Sequence, residues 1–198
     1  MTAELPLIVG IGGTMRAGST SEKALAAALK MAERHGARTM MISGPGLDMA
    51  TYQPGTPERP ENARKLIDLL RAADGIVISS PSYHGSISGH LKNAIDYTED
   101  MRADSRPYFD SRAVGCIVCA DGAQAMGSTL HALRSIVHAL RGWPTPYAAA
   151  INSNLKPFEP DGTINNPDVA AQLDIVASQV VEFARRARMG AGIECSIN

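Results

Sequence analysis

The stretch Leu7-Ile8-Val9-Gly10-Ile11-Gly12-Gly13-Thr14-Met15-Arg16-Ala17-Gly18-Ser19-Thr20-Ser21 decides the fold. A short apolar run, Leu7 to Ile11, reads as a buried strand. It breaks at two glycines into a hydroxyl-rich loop and then enters a helical pattern from Ser21 to about Arg34, with Leu25, Ala28, Leu29 and Ala32 on one face. The same alternation continues down the chain. Arg38–Ile42, Gly75–Ser79, Ala113–Cys119 and a short piece near Tyr147–Ile151 read as strands. Glu61–Ala73, Gly89–Glu99, Gln124–Leu140 and Pro167–Arg188 read as helices. Between Gly44 and Pro60 the density of Gly and Pro argues against any long element.

Strands that are continuously apolar rather than alternating belong to a sheet buried on both faces. With right-handed crossovers, five strands interleaved with five helices predict a doubly wound five-stranded parallel sheet in a three-layer α/β sandwich. One domain over residues 1–188 is expected, with 189–198 as a flexible tail. The 198 residues are an ordinary size for this, and 44% hydrophobic with 20% charged residues excludes general disorder.

Charge and cysteine content narrow the function. With 19 basic and 20 acidic residues the net charge is −1, so no global field is available to hold nucleic acid or an anionic membrane. No apolar run approaches the roughly 18 residues of a membrane span, and the start, Met1 to Pro6, lacks a basic leader, so a cytoplasmic protein is expected. Cys116, Cys119 and Cys195 are too few for a disulfide framework. Cys116-Ile117-Val118-Cys119 imitates a C-x-x-C motif, but residues three apart on a strand face opposite sides, so buried structural thiols are expected. No metal site is expected; His131 and His138 share a helix face without a supporting carboxylate pattern.

In an open parallel sheet, ligands bind beyond the carboxyl ends of the strands. The first such loop offers backbone N–H groups at a helix start, four hydroxyls (Thr14, Ser19, Thr20, Ser21) and the Arg16 guanidinium, which is the chemistry of an anion seat. The dinucleotide fingerprint fails, because Met15 stands where a third glycine belongs and the second strand ends Ile42-Ser43-Gly44 without a ribose-binding acid. A P-loop fails for want of lysine after Gly18. One terminal phosphate monoester suits the loop better than a triphosphate. A receiver domain, which shares the topology, is excluded by the missing acids at the ends of the first and third strands, and no G-x-S-x-G or H-E-x-x-H motif supports a hydrolase.

After the third strand comes Pro81-Ser82-Tyr83-His84-Gly85-Ser86, followed by Gly89-His90-Leu91-Lys92-Asn93-Ala94-Ile95-Asp96. This resembles the pattern P-x-Y-N-x-S-x-x-G-x-L-K-N-A-I-D of the NAD(P)H-dependent FMN reductase family of flavodoxin-like proteins. Gly13-Thr14-Met15-Arg16-Ala17-Gly18-Ser19 resembles that family's G-S-x-R-x-x-S, and Phe158–Ile164 is also similar; the resemblance spans about residues 5 to 188. It implies a flavodoxin-like fold and FMN, with the phosphate on Thr14, Arg16, Ser19, Thr20 and Ser21. The isoalloxazine would lie against the loop of Pro81, Ser82, Tyr83, His84 and Gly85, with Asp121, Gly122 and Gln124 near the ring's other edge. It further implies NADPH or NADH as co-substrate and a small-molecule acceptor such as a flavin, quinone, azo dye or metal ion. A homodimer or homotetramer follows, with the Glu99–Arg112 connection a candidate interface. No catalytic acid–base residue is expected, since the flavin carries the chemistry. The alternatives are an electron-carrying flavodoxin, usually strongly acidic, or a flavin-binding interaction protein without NAD(P)H turnover. Thr14 replaces the family's serine and His84 its asparagine.

Overall fold

The computed structural model describes residues 4–194, with side chains through Met189. In chain order the elements are β1 (Leu7–Gly12), α1 (Thr20–Arg34), β2 (Arg38–Ser43), α2 (Glu61–Ala72), β3 (Gly75–Tyr83), β4 (Ser86–Ile87), α3 (Gly89–Asp96), β5 (Ala113–Ala120), α4 (Ala123–Ala139), β6 (Trp143–Pro144), β7 (Ala149–Asn152) and α5 (Pro167–Glu194). The central ladder runs β2-β1-β3-β5, all parallel, and both β6 and β7 pair with the free side of β5. This is the doubly wound order, with the switch point between β1 and β3.

The expected single fifth strand is split. Ala113 and Val114 pair with Trp143 and Pro144, whereas Ile117 to Ala120 pair with Ala149 to Asn152. Six residues separate the two starts on one strand and four on the other: Thr145 N–H still donates to Val114 O at 3.0 Å, and the chain then leaves the ladder until Ala149. Trp143 and Thr145 donate to β5, so Pro144, between them, turns its nitrogen to the open edge of the sheet, where a missing N–H costs no ladder bond.

Alternate strand residues feed two cores. Val9, Ile11, Ile76, Ile78, Val114 and Cys116 pack against Leu66 and Leu70 of α2, Leu91 of α3, and Leu133 and Val137 of α4. Ile8, Val77, Ile117, Cys119 and Ile151 pack against Leu25 and Leu29 of α1 and Leu173, Val176 and Val180 of α5. The two cysteines thus lie in opposite layers, as the strand period requires. Both are buried free thiols, and burial pushes each pKa up to about 12. Helix α5 lies close enough that a Cβ at Gly115 would stand 2.6 Å from Val176 Cγ1, which explains a glycine inside a strand. The α5 helix continues six residues beyond Arg188, so residues 189–194 are helical where a loose tail was expected. Cys195, like Met1 to Ala3, lies outside the described residues. The cations at the end of α5 have specific partners: Arg185 bonds the carbonyls of His35 and Gly36 behind α1, and Arg188 meets Asp74 at 2.8 Å.

The Glu99–Arg112 connection folds back on its own chain. Arg59 grips Asp100 with two 2.8 Å bonds, and Arg71 meets Asp104 at 2.8 Å. Arg112 is 1% exposed and donates to four carbonyls, those of Ala73, Tyr108, Asp110 and Arg71. Two of these, Arg71 in the last turn of α2 and Ala73 at its C-cap, lie at the end of that helix, so the guanidinium closes it. Burial pulls its pKa down to about 10.

Candidate functional site

The β1–α1 loop is held by its own hydroxyls. Gly13 N–H donates to Ser79 O at 2.8 Å, fixing the loop to β3. Thr14 Oγ1 accepts from Arg16 N–H at 3.1 Å. Ser19 caps α1: its backbone is extended and its Oγ accepts from Glu22 N–H at 3.2 Å. Ser19 Oγ also lies 3.3 Å from Ser21 Oγ, and Ser79 Oγ donates to Ser21 O at 2.8 Å. Thr14, Ser19 and Ser21 are buried at the seat, and Thr20 is half-buried. The N–H groups of Thr20 and Ser21, the first two of α1, find no acceptor among the described residues. The Arg16 side chain is exposed and, among the described residues, bonds nothing. Two orphan N–H groups at a helix start, buried hydroxyls and a free guanidinium are a donor set that fits a phosphate.

One acid enters this seat that the sequence reading passed over. Glu22 Oε2 accepts from Gly18 N–H at 2.6 Å, and its Oε1 lies 3.4 Å from Ser43 Oγ. The signal was present: Ser19-x-x-Glu22 has the spacing of a capping box, although the acid here takes the N–H of Gly18, one residue before the cap, and Ser19 N–H goes to Arg16 O at 3.3 Å.

The second loop is a hairpin. Strand β3 continues past Ser79 through Pro81 and Tyr83, and Ser82 and Tyr83 pair antiparallel with Ile87 and Ser86. His84 (φ 53°) and Gly85 (φ 79°) form its two-residue turn. Positive φ at both central positions marks a type I′ turn, which asparagine followed by glycine favours most. Histidine is among the side chains tolerated at positive φ, so His84 keeps the turn that the family's asparagine would make. Tyr83 (57% exposed) and His84 stand open at the tip, and Pro81 is half-buried. The Ser82 hydroxyl is engaged elsewhere: it lies 2.6 Å from Thr129 Oγ1 and donates to Ala125 O at 3.2 Å, which props the hairpin on α4.

Ser88 joins the two loops, and no motif reading had singled it out. Its Oγ donates to Gly13 O at 2.5 Å and accepts from Leu91 N–H at 3.1 Å as the cap of α3. Its N–H donates to Ser80 Oγ at 3.1 Å. Asn93, in the same motif, is a fastener for the loop after β2: its Oδ1 accepts from Tyr52 N–H at 2.8 Å, and its Nδ2 donates to Ala50 O at 3.0 Å. His90 Nε2 lies 3.3 Å from Gly44 O.

The third loop is brief. Gly122, not Asp121, occupies the capping position of α4, and no side chain caps that helix. Asp121, Gly122 and Gln124 are exposed, and Asp121 O accepts from Asn154 Nδ2 at 3.0 Å. The residues from the sequence reading therefore gather along one edge in two groups. Thr14, Arg16, Ser19, Thr20 and Ser21 surround the α1 start. Tyr83, His84 and Gly85 join Asp121, Gly122 and Gln124 around the first half of α4, where Gly85 approaches Ser128.

Comparison with known proteins gives the family and supports the fold. A family model described as NADPH-dependent FMN reductase matches residues 6–155. An FMN-dependent NADPH-azoreductase of Staphylococcus aureus is 30% identical over 139 residues, covering 69% of this chain and 70% of that protein. Among solved structures, FerB, a flavoenzyme NAD(P)H:(acceptor) oxidoreductase from Paracoccus denitrificans, superposes with a TM-score of 0.71 at 19% identity, over 92% of this chain and 99% of its own. RosB, with a bound flavin-phosphate intermediate, gives 0.75 at 12% identity over 96% and 86%. These two likenesses show the fold, while the family model covers well over half of the sequence. The chain belongs to the NADPH-dependent FMN reductase family, flavin-dependent oxidoreductases that use FMN with NAD(P)H.

Proposed function

We propose that the FMN phosphate is held at the start of α1 by the N–H groups of Thr20 and Ser21, the hydroxyls of Thr14, Ser19, Thr20 and Ser21, and Arg16. The observation that carries this reading is the set of donors there that, among the described residues, have no partner, beside a guanidinium equally unpartnered. The ring would lie along Pro81, Ser82, Tyr83, His84 and Gly85, with Ser82 contributing through its backbone because α4 takes its hydroxyl. Asp121, Gly122 and Gln124 would bound the other edge.

FMN, when bound, supplies the centre that accepts hydride from the nicotinamide and passes electrons on. The protein positions and polarises. Ser88 and Ser79 lock the phosphate loop to β3 and α3, so the donors are preorganised rather than recruited. The uncapped start of α4 leaves N–H groups open at the strand edge, which favours negative charge developing there. Tyr83 and His84 lie exposed at the tip, where they can contact an incoming nicotinamide or acceptor.

The acceptor we favour is a small aromatic oxidant, an azo compound or quinone, supported by the 30% identity to a bacterial azoreductase. The nearly neutral net charge of −1 supports turnover with small molecules over a carrier that docks on basic partners. We read residues 1–188 as one FMN-binding unit, cytoplasmic and homo-oligomeric; no described helix is long and apolar enough to cross a membrane. The test is an Arg16→Ala variant titrated with FMN and with riboflavin. FMN affinity should fall about tenfold, the weight of one charge-assisted contact, and riboflavin affinity should hold. Equal losses would place the phosphate elsewhere.

A further inference from the structure

Beside the phosphate seat lies a cleft of about 630 Å³ that the mononucleotide reading leaves unused. It opens from Gly18, Thr20 and Lys23 on the α1 side and is closed by the chain after β7, chiefly Lys156, Phe158 and Asn165. Its volume falls within the roughly 300–1,000 Å³ of small-molecule sites. Its chemistry is graded. Lys156 holds a left-handed backbone (φ 46°), and its ammonium has no protein partner among the described residues. Lys23 Nζ donates one bond to Glu159 O at 2.8 Å and keeps two further protons to offer. Phe158, with prolines on either side at 157 and 160, supplies apolar wall. The carboxylate facing in, Glu159, is answered by Asn165 Nδ2 at 2.8 Å. A larger cleft of about 730 Å³ meets this one at Gly18 and Lys23 but runs away along α1 towards Arg34.

A cation pair followed by a flat apolar wall, adjoining a monophosphate seat, is the arrangement that a phosphate extended by a nucleoside needs. We propose that this cleft takes the adenylyl half of FAD, with Lys23 and Lys156 on the second phosphate, so that the chain binds flavin as dinucleotide as well as mononucleotide. The proposal rests on the phosphate seat described above and deepens it.

The experiment titrates the apoprotein with riboflavin, FMN and FAD by flavin fluorescence, for the natural chain and for Lys156→Asn. Asparagine tolerates positive φ, so the loop keeps its shape while the charge goes; an unchanged melting temperature of the apo variant confirms this. The expected result is an FAD Kd within about tenfold of that for FMN, both tighter than riboflavin, with Lys156→Asn weakening FAD about fivefold and FMN less than twofold. An FAD Kd more than about tenfold above that for FMN, or a Lys156→Asn effect equal on both, overturns the cleft assignment and leaves the seat standing. FMN binding no tighter than riboflavin would instead overturn the seat itself.

Discussion

Replacing Ser88 by alanine tests whether the two ligand-facing loops are one mechanical unit. The residue is 2% exposed and its hydroxyl works twice, donating to Gly13 O at 2.5 Å and capping α3 by accepting from Leu91 N–H at 3.1 Å. Losing the cap costs about 1 kcal/mol. The Gly13 carbonyl, left buried without that donor, costs roughly 1–3 kcal/mol more. The sum is about 3 kcal/mol, which for a chain of this length lowers Tm by roughly 6–12 °C. Urea unfolding followed by circular dichroism gives the stability change, and fluorescence titration gives the FMN affinity, expected to weaken at least about threefold because Gly13 begins the phosphate loop. Ser86→Ala is the control, an exposed hydroxyl two residues away with no bonding partner in the described chain, and should change stability by less than about 0.5 kcal/mol. A Ser88→Ala protein as stable as the Ser86 control, or one destabilised with FMN affinity intact, would refute the coupling.

The remaining predictions concern charge. Glu22→Gln keeps an acceptor for Gly18 N–H but removes a negative charge from the phosphate seat, so FMN should bind about fivefold tighter, riboflavin unchanged, and apo stability within about 1 kcal/mol; parallel titrations decide it. Cys116 and Cys119 hold their protons to about 12 when folded, against about 9 when free. Their contribution is therefore complete below pH 9 and lost as pH rises towards 12, at about 1.4 kcal/mol per unit per thiol. A Cys116→Ala/Cys119→Ala protein should lose urea resistance more slowly above pH 9 than the natural chain, and parallel slopes would contradict the burial argument. Arg112→Met strips donors from four carbonyls and should cost about 3–5 kcal/mol. Arg112→Lys should rescue little of that, because an ammonium cannot reproduce the fork; equilibrium unfolding measures both.

Much of the architecture was legible because the inner strands of a doubly covered sheet open with continuous apolar runs, and because the first loop concentrates hydroxyls at a helix start. The opposite placement of Cys116 and Cys119 follows from the strand period alone. What escaped reading depends on partners distant in sequence. Pro81 looks like a strand terminator, yet β3 runs on through it, because the pairing with β4 begins one residue later. His84-Gly85 is a weak hairpin signal beside Asn-Gly, so β4 went unseen. Ser82 was read as facing the ligand edge, and its partner Thr129 lies 47 residues away. The fifth strand was anticipated near its second half only, since two proline-interrupted residues at 143–144 carry no periodicity.

The broken fifth strand has a bearing on how copies of this chain can associate. Along the detour between β6 and β7, Arg134 satisfies the carbonyls of Thr145 and Pro146, and Gln179 Oε1 takes the Tyr147 N–H at 3.0 Å. Side chains from α4 and α5 thus consume the very groups that a neighbouring ribbon would need as a template. Growth of the sheet from molecule to molecule is blocked on that flank, and any assembly there has to be built from helix surfaces.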